Sequence, residues 1–394
     1  MISHTHSGRL AVLVVTPYSP AYKHGHAADD IAASFFAELG RLVDLTVVAP
    51  SPSAPSESVD VDLTYELIHL STPRYSLLRL LGLYPAAARK DWSRANTREV
   101  RAILRSRAFT NIHVEYMQPL EVLRDIPDGL RVSFTLHDIG TVVSRERVRH
   151  ARGLLRKFYF SLDRLRIARL EKRRVKTADR VFALSESGRE WVNRHGGRGE
   201  IFHLGRAAEG PQWQGSNPGA EFVFAGALWR GANQLTLEWL INEVVPRIPT
   251  SRVPIRIRVV GAGAPKWLID LCRSSSAIVY VGEVDSFEEE YSKSLAVLAP
   301  TVVSAGILLK AQKALQCGAP LLVNSLAAGP LELSPGSCIV ADDEEDLALA
   351  MVKLSEDSEL ANRVARSGQM EWLRGASWED SASAFVHKIS QPGG

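Results

Sequence analysis

The stretch A-P-T-V-V-S-A-G-I-L-L-K-A-Q-K-A-L-Q-C-G-A-P, Ala299 to Pro320, is the most telling part of this chain. An apolar strand, Leu295 to Leu298, ends at Ala299-Pro300 and passes into a loop. Gly306 follows, then a short helix carrying Lys310, and Gly318-Ala319-Pro320 leads into the next apolar strand, Leu321 to Val323. This order suits the gripping of a phosphorylated ligand. A glycine lets the backbone approach closely, the first amides of a helix face the anion, and a lysine adds a point charge.

Working outward, 394 residues exceed one ordinary core and imply two or three domains. Hydrophobic residues at 45% and charged ones at 23% describe a globular, ordered protein. A formal net charge of +3 argues against a general polyanion binder, and no nucleic-acid partner is expected. The charge is uneven, however: Arg145 to Arg180 holds 14 Lys/Arg against 4 Asp/Glu. Cys272, Cys317 and Cys338 are odd in number, form no C-x-x-C pair and read as small buried hydrophobes. The first residues show no basic segment followed by an apolar one, and no apolar run reaches the ~18 residues of a spanning helix. A cytoplasmic protein is expected, with contact at the inner face of the membrane as an open option.

The first half opens with a strand, Leu10 to Val15, a loop, a helix from Ala27 to Leu42 with Ile31, Phe35 and Leu39 at helical spacing, and a second strand, Leu45 to Val48. That βαβ unit seeds a parallel sheet. Further strands are predicted at Glu66–Leu70, Asn111–Glu115, Val132–Leu136 and Arg180–Leu184, with helices near Trp92–Ser106 and Arg145–Ala178. Arg206 to Ala220, rich in Gly, Pro and polar residues, reads as a linker. The alternation then restarts with strands at Phe222–Phe224, Ile255–Val260, Ile278–Val281, Leu295–Leu298 and Leu321–Val323, and near Ile339. Its helices are expected near Leu235–Val245 and Lys266–Ser274, then Glu345–Ser355, Ser358–Met370 and Trp378–Ile389. The expected fold class is therefore α/β, with two Rossmann-like parallel-sheet domains facing a central cleft that holds the ligand.

Several elements, in order, resemble family-4 glycosyltransferases of the GT-B fold. Gly306, Ile307, Leu309, Lys310, Ala314, Leu315, Gly318 and Pro320 match the string G-I-K-L-K-V-L-E-A-L-A-x-G-x-P common in that family. Val12–Pro20 resembles its first strand and loop, Gly25 its glycine-rich turn, and Leu136–Ile139 its strand-end histidine. Arg169–Glu186, Phe222–Pro246, Arg258–Pro265 and Val279–Asp285 also fit in order and spacing. The resemblance implies an acceptor-binding domain over 1–205, a linker over 206–220, a nucleotide-sugar-binding domain over 221–372, and a helix over 373–394 returning to the first domain. It further implies a retaining, metal-independent transfer of sugar from a nucleotide-sugar, the donor being a substrate and no cofactor being required. The acceptor is a glycan, a lipid-linked saccharide or a small molecule.

Residue by residue, Gly306, Ile307 and Lys310 are expected at the donor diphosphate, with Gly226 at a strand end and Arg230 offering a planar fork. The arginine and lysine that the family commonly uses here fall at Ala227 and Asn233, so Arg230 is the candidate substitute. Lys313 stands where the family has a glutamate that accepts hydrogen bonds from ribose hydroxyls, and a lysine cannot accept. Either another acceptor serves, Glu332 being the nearest downstream carboxylate, or nucleotide binding is altered or lost. His137 follows an apolar strand and is the catalytic candidate, with Glu115 and Asp138 as acceptor-site candidates. Asp138 alternatively caps the next helix.

Gly25 lies between His24 and His26, and His4 and His6 form a second pair, but two histidines without carboxylate or cysteine partners make a poor metal site. The G-A-G-A-P-K run at Gly261–Lys266 lacks the last glycine of a dinucleotide fingerprint, which argues against a nicotinamide enzyme. The basic segment Arg145–Arg180 is either a solvated helix packed on the first domain or a contact with an anionic membrane. A catalytically inactive scaffold of the same fold and, more remotely, a sugar-nucleotide epimerase are the rival readings.

Overall fold

The computed structural model describes residues 9–22, 28–52, 63–73, 84–86, 91–149, 151, 153–206, 211–215, 221–249, 254–303 and 308–391. The chain divides into two compact units, Met1–Gly205 with Ala376–Gly394, and Arg206–Gly375.

The first unit is built on seven parallel strands, β1 (Ala11–Val15), β2 (Asp44–Pro50), β3 (Glu66–Leu70), β4 (Asn111–Glu115), β5 (Arg131–Leu136), β6 (Arg180–Ala183) and β7 (Gly199–Ile201). Their spatial order is β3-β2-β1-β4-β5-β6-β7. The helices between them are α1 (Ala28–Leu42), α2 (Arg94–Ser106), α3 (Gly140–Arg149), α4 (Leu154–Thr177) and α5 (Glu186–Arg194). Alternation along β1 sends Val12 and Val14 to one apolar core and Leu13 and Val15 to the other, so the sheet is buried on both faces. Helix starts follow local chemistry: Ser93 and Asn96 form a reciprocal capping box at α2, and Ser185 caps α5. The basic segment expected as one helix is two, α3 and α4. Gly153, at φ +89, supplies a conformation that a continuing helix could not take.

The last helix, α13 (Trp378–Ser390), completes this unit. Phe385 meets Phe35, Phe182 and Phe202 with ring centroids at 5.3, 4.8 and 6.3 Å. The Ile389 carbonyl accepts from Asn111 Nδ2 at the start of β4. Gly205 lies so close to Trp378 that a Cβ there would stand 2.3 Å from the indole ring.

The second unit has six parallel strands, β8 (Phe222–Ala225), β9 (Ile257–Val260), β10 (Ile278–Gly282), β11 (Val297–Leu298), β12 (Leu321–Val323) and β13 (Ile339–Val340), ordered β10-β9-β8-β11-β12-β13. Its helices are α6 (Gly231–Trp239), continued by a π-turn at Leu240–Val244, α7 (Lys266–Arg273), α8 (Phe287–Lys293), α9 (Leu309–Gln316), α10 (Ser325–Ala328), α11 (Glu344–Glu356) and α12 (Ser358–Arg374). Phe222 and Phe224 enter one core, Val223 and Ala225 the other. Part of the expected linker belongs to this unit. Trp213 donates from its backbone to Cys317 O at 2.7 Å and from Nε1 to Ser294 O at 2.8 Å, which fixes 211–215 to the C-terminal ends of α9 and α8.

Both sheets reverse direction of growth beside their first strand, between β1 and β4 and between β8 and β11. In such sheets ligands bind outside the carboxyl ends of the strands at that reversal. Gly261 sets the fit there in the second unit. It has φ +142, and a Cβ on it would stand 1.8 Å from Gly226 O, so the loops after β8 and β9 touch backbone to backbone. Gly261→Ala should therefore destabilise the protein by roughly 2 kcal/mol or more, visible as a drop of several degrees in Tm by calorimetry.

Candidate active site

At the reversal in the second unit, Gly226 follows the end of β8 and the chain turns into α6, whose first flanking residue is Arg230. Asn233 on α6 folds back over this turn: its Nδ2 donates to Ala227 O at 3.0 Å, and a Cβ on Gly226 would come within 2.7 Å of that nitrogen. The other end of the Asn233 amide accepts from Lys310 Nζ at 3.1 Å. Lys310, in the first turn of α9, also lays its ammonium over the Phe224 ring, 4.1 Å from the centroid. The structure thus gathers Gly226, Arg230 and Lys310, with Asn233 as the tie between two loops. Burial, reinforced by the charge of Arg230, pushes the Lys310 ammonium down to about 7. Gly306 and Ile307, expected beside it, and Gly25 lie outside the described residues.

Lys313, one turn further along α9, does not stand alone. Its Nζ donates to Glu288 Oε1 at 2.5 Å, and both side chains are largely shielded from water. Burial raises the Glu288 carboxyl, but the hydrogen bond and charge of Lys313 outweigh it and hold the group below the ordinary carboxylate range. Glu288 opens α8, whose start is capped by Ser286. A carboxylate therefore stands against Lys313 after all, and it comes from upstream. Glu332, the downstream candidate, is an exposed residue in the left-handed region at φ 50.

In the first unit the reversal brings together the ends of β1, β4 and β5. His137 follows β5, and its Nε2 donates to Glu115 Oε2 at 2.6 Å, while Glu115 closes β4. The other carboxylate oxygen is 3.0 Å from Nε2 of His113, which points into the sheet's packed face beneath Phe385. Thr135 Oγ1 adds a donor to the same oxygen at 3.3 Å. Burial alone pushes the Glu115 carboxyl up, but the hydrogen bonds and charge of His113 and His137 prevail and hold it well below the carboxylate range. An ionised Glu115 fixes Nε2 as the protonated nitrogen of His137, so in the neutral ring Nδ1 carries the lone pair that a hydroxyl can approach.

Tyr116, the residue after Glu115, has φ 67, a strained value for a residue with a side chain. The turn lays its ring flat on His137, with centroids 3.8 Å apart and planes 9° from parallel. Tyr18, after β1, packs edge-on against Tyr116 at 5.1 Å and receives a hydrogen bond from Gln118 Nε2. Asp138 is exposed, and another carboxylate takes the first amides of α3. It is Glu171 on α4, which accepts from Gly140 N at 2.6 Å, Thr141 N at 3.0 Å and the Thr141 hydroxyl. Tyr116, His113 and Glu288 were not singled out from the sequence, and Asn233 was marked only as a departure from the family's basic residue. Tyr116 alone carried a usable signal, an aromatic residue directly following a strand that ends in Glu115.

Among the described residues, no group of three or more His, Cys, Asp or Glu stands together as a metal site. No helix among them is long and apolar enough to cross a membrane.

Residues 219–357, all within the second unit, match the family model described as Glycosyl transferases group 1. No curated protein matches the sequence. Among solved structures, the chain is similar to sucrose-phosphate synthase (tll1590) from Thermosynechococcus elongatus, at 15% identity over 97% of this chain and 99% of that one, with a TM-score of 0.75. It is similar to Anabaena Alr3699/HepE in complex with UDP and glucose, at 14% identity over 96% and 99%, with a TM-score of 0.66. It is also similar to an E. coli structure described as trehalose-6-phosphate bound with UDP-2-fluoro glucose, at 14% identity over 97% and 99%, with a TM-score of 0.63. The fold is the GT-B fold of glycosyltransferases, two Rossmann-like parallel-sheet domains, and its second domain matches the model of glycosyl transferases group 1.

Proposed function

We propose that this protein is a retaining, metal-independent glycosyltransferase. It moves a sugar from a uridine diphosphate donor held by the second unit to an acceptor hydroxyl, on a glycan, a lipid-linked saccharide or a small molecule, held by the first. The observation that carries this reading is the placement of Lys310. A half-buried ammonium, tied by Asn233 to the turn after β8 and lying beside Arg230, stands at the strand-end reversal of the domain that matches the family. Uridine is chosen because two similar structures are described with UDP or a UDP-sugar.

In the step we propose, the bond from the sugar's anomeric carbon to the diphosphate oxygen breaks. The acceptor oxygen bonds to that carbon on the same face, and its proton passes to the departing diphosphate. The protein supplies position and charge in place of a side-chain nucleophile. Lys310 and Arg230 take up the negative charge that grows on the leaving group. His137, its Nε2–H held by Glu115 and its ring clamped by Tyr116, accepts a hydroxyl of the reacting sugar at Nδ1. Glu288, held by Lys313, provides the acceptor that the ribose hydroxyls need and that Lys313 itself cannot offer.

UDP at 100 times its Kd should stabilise the protein by ~2.7 kcal/mol, a thermal shift of a few degrees that Lys310→Ala abolishes. No shift with any nucleotide, from folded protein, would leave the inactive scaffold as the reading. The pH dependence has a definite sign. Lys310 is largely neutral in the empty site above pH 7, so binding there takes up a proton. Affinity for UDP should fall by up to roughly tenfold per pH unit between about 7.5 and 9 in titration calorimetry, and Lys310→Arg should flatten the profile. Glu288→Gln should weaken UDP by roughly tenfold or more and leave inorganic pyrophosphate, which has no ribose, unchanged. His137→Ala should lower kcat for transfer by about a hundredfold with UDP affinity intact, measured by UDP release in the presence of acceptor.

A further inference from the structure

Helix α4 presents an outward stripe that the fold does not use. Leu154, Phe158, Leu162, Leu165, Arg169, Lys172 and Lys176 recur at steps of three and four residues, so they share one face, and all seven are exposed. Leu154 is 86% exposed, Leu155 beside it 88% and Phe158 72%, values far from those of residues with a packing role. The stripe changes character midway: its first half is apolar and its second half entirely cationic. The two acids of this helix are withdrawn from it. Asp163 is buried and accepts from Ala86 N at 2.7 Å, and Glu171 is buried as the cap of α3. Exposed Lys157, Arg164 and Arg173 on α4 and Arg145 and Arg147 on α3 add to the positive charge.

We propose that this face of α4 docks on the surface of an anionic lipid bilayer. Charge complementarity selects that occupant. Lying in the interface, the helix would sink Leu154, Leu155, Phe158, Leu162 and Leu165 to the acyl boundary, and Arg169, Lys172 and Lys176 would meet lipid phosphates. The apolar half spans about 17 Å of helix, enough to lie along the surface and too short to cross it. A second copy of this chain matches less well. Parallel pairing along the whole stripe sets its cations against each other, and antiparallel pairing sets them against leucines. The proposal is independent of the transfer reaction, since none of these residues belongs to the site described above.

The test is co-sedimentation of the full chain with vesicles of phosphatidylcholine alone and of equal parts phosphatidylcholine and phosphatidylglycerol. Two variants are compared, Leu154→Gln/Leu155→Gln/Phe158→Gln and Arg169→Gln/Lys172→Gln/Lys176→Gln. All six positions are exposed, and unchanged Tm and UDP binding confirm that the variants are folded. The expected result is binding to the anionic vesicles only, weakened by salt, and lost by roughly a hundredfold in the triple-cation variant. The apolar variant should lose it too. Absence of binding by the wild type, or either variant binding as the wild type does, overturns the proposal. So does a wild-type dimer, by light scattering, that the apolar variant dissociates while neither protein binds vesicles; that outcome assigns the face to a second copy.

Discussion

Every strand pairing among the described residues is parallel, and the other features follow from that constraint. Parallel neighbours send their carboxyl ends to one edge and force each return through a crossover, so all the turns that leave the strands collect on that edge. Where the order of the strands reverses, two such turns diverge and leave room for a ligand. In the first unit the turns after β1, β4 and β5 deliver Tyr18, Glu115 with Tyr116, and His137. In the second, the turns after β8 and β11 deliver Asn233 and Lys310. The chemistry-bearing side chains are spread over more than a hundred residues of sequence in the first case and about eighty in the second, and the topology alone makes them neighbours.

The two units treat buried charge in opposite ways. Glu115 is enclosed, yet donors on both carboxylate oxygens hold it well below the carboxylate range, and as an anion it fixes a histidine tautomer. Lys310 has an amide oxygen and an aromatic face for company but no carboxylate among its described contacts, and an arginine lies nearby. Burial and that arginine hold its pKa down to about 7. The carboxylate has its charge satisfied by protein donors, and the ammonium has only an amide oxygen among its described hydrogen bonds.

The parts of this architecture legible in the sequence were those written as local pattern. Apolar runs marked most strands to within a residue or two, because parallel strands buried on both faces are rich in Val, Ile and Leu; β4, with Asn111, His113 and Glu115 buried among its apolar residues, is an exception. His137 was legible because it follows such a run directly. The short edge strand β7, with the sequence G-E-I, and the short α8, with F-E-E-E-Y-S-K, carried too little periodicity to be seen. The break at Gly153 depended on one residue in a long helical pattern, which sequence reasoning tolerates. Glu288 lies 25 residues before Lys313, and only the pairing of β8, β9 and β11 places α8 beside α9. Tyr116 owes its stacking to a backbone angle, a property that no side-chain pattern records.

The chain leaves the first unit at Gly205 and re-enters it at Ala376, two residues before the Trp378 that packs on Gly205, so the second unit is an insertion into the first. This has a consequence in time as well as in space. During synthesis, residues 9–205 emerge without Phe385, and the aromatic core around Phe35, Phe182 and Phe202 must wait for it. At typical elongation rates the intervening unit takes on the order of ten seconds or more to appear. The inserted domain has all its own strands at hand and can fold first, although it is made second. The ring of His113, which steadies Glu115, is covered only when the last turns of the chain arrive. Completion of the nascent polypeptide is thus coupled to the ordering of the histidine–carboxylate pair at the far edge of its first sheet.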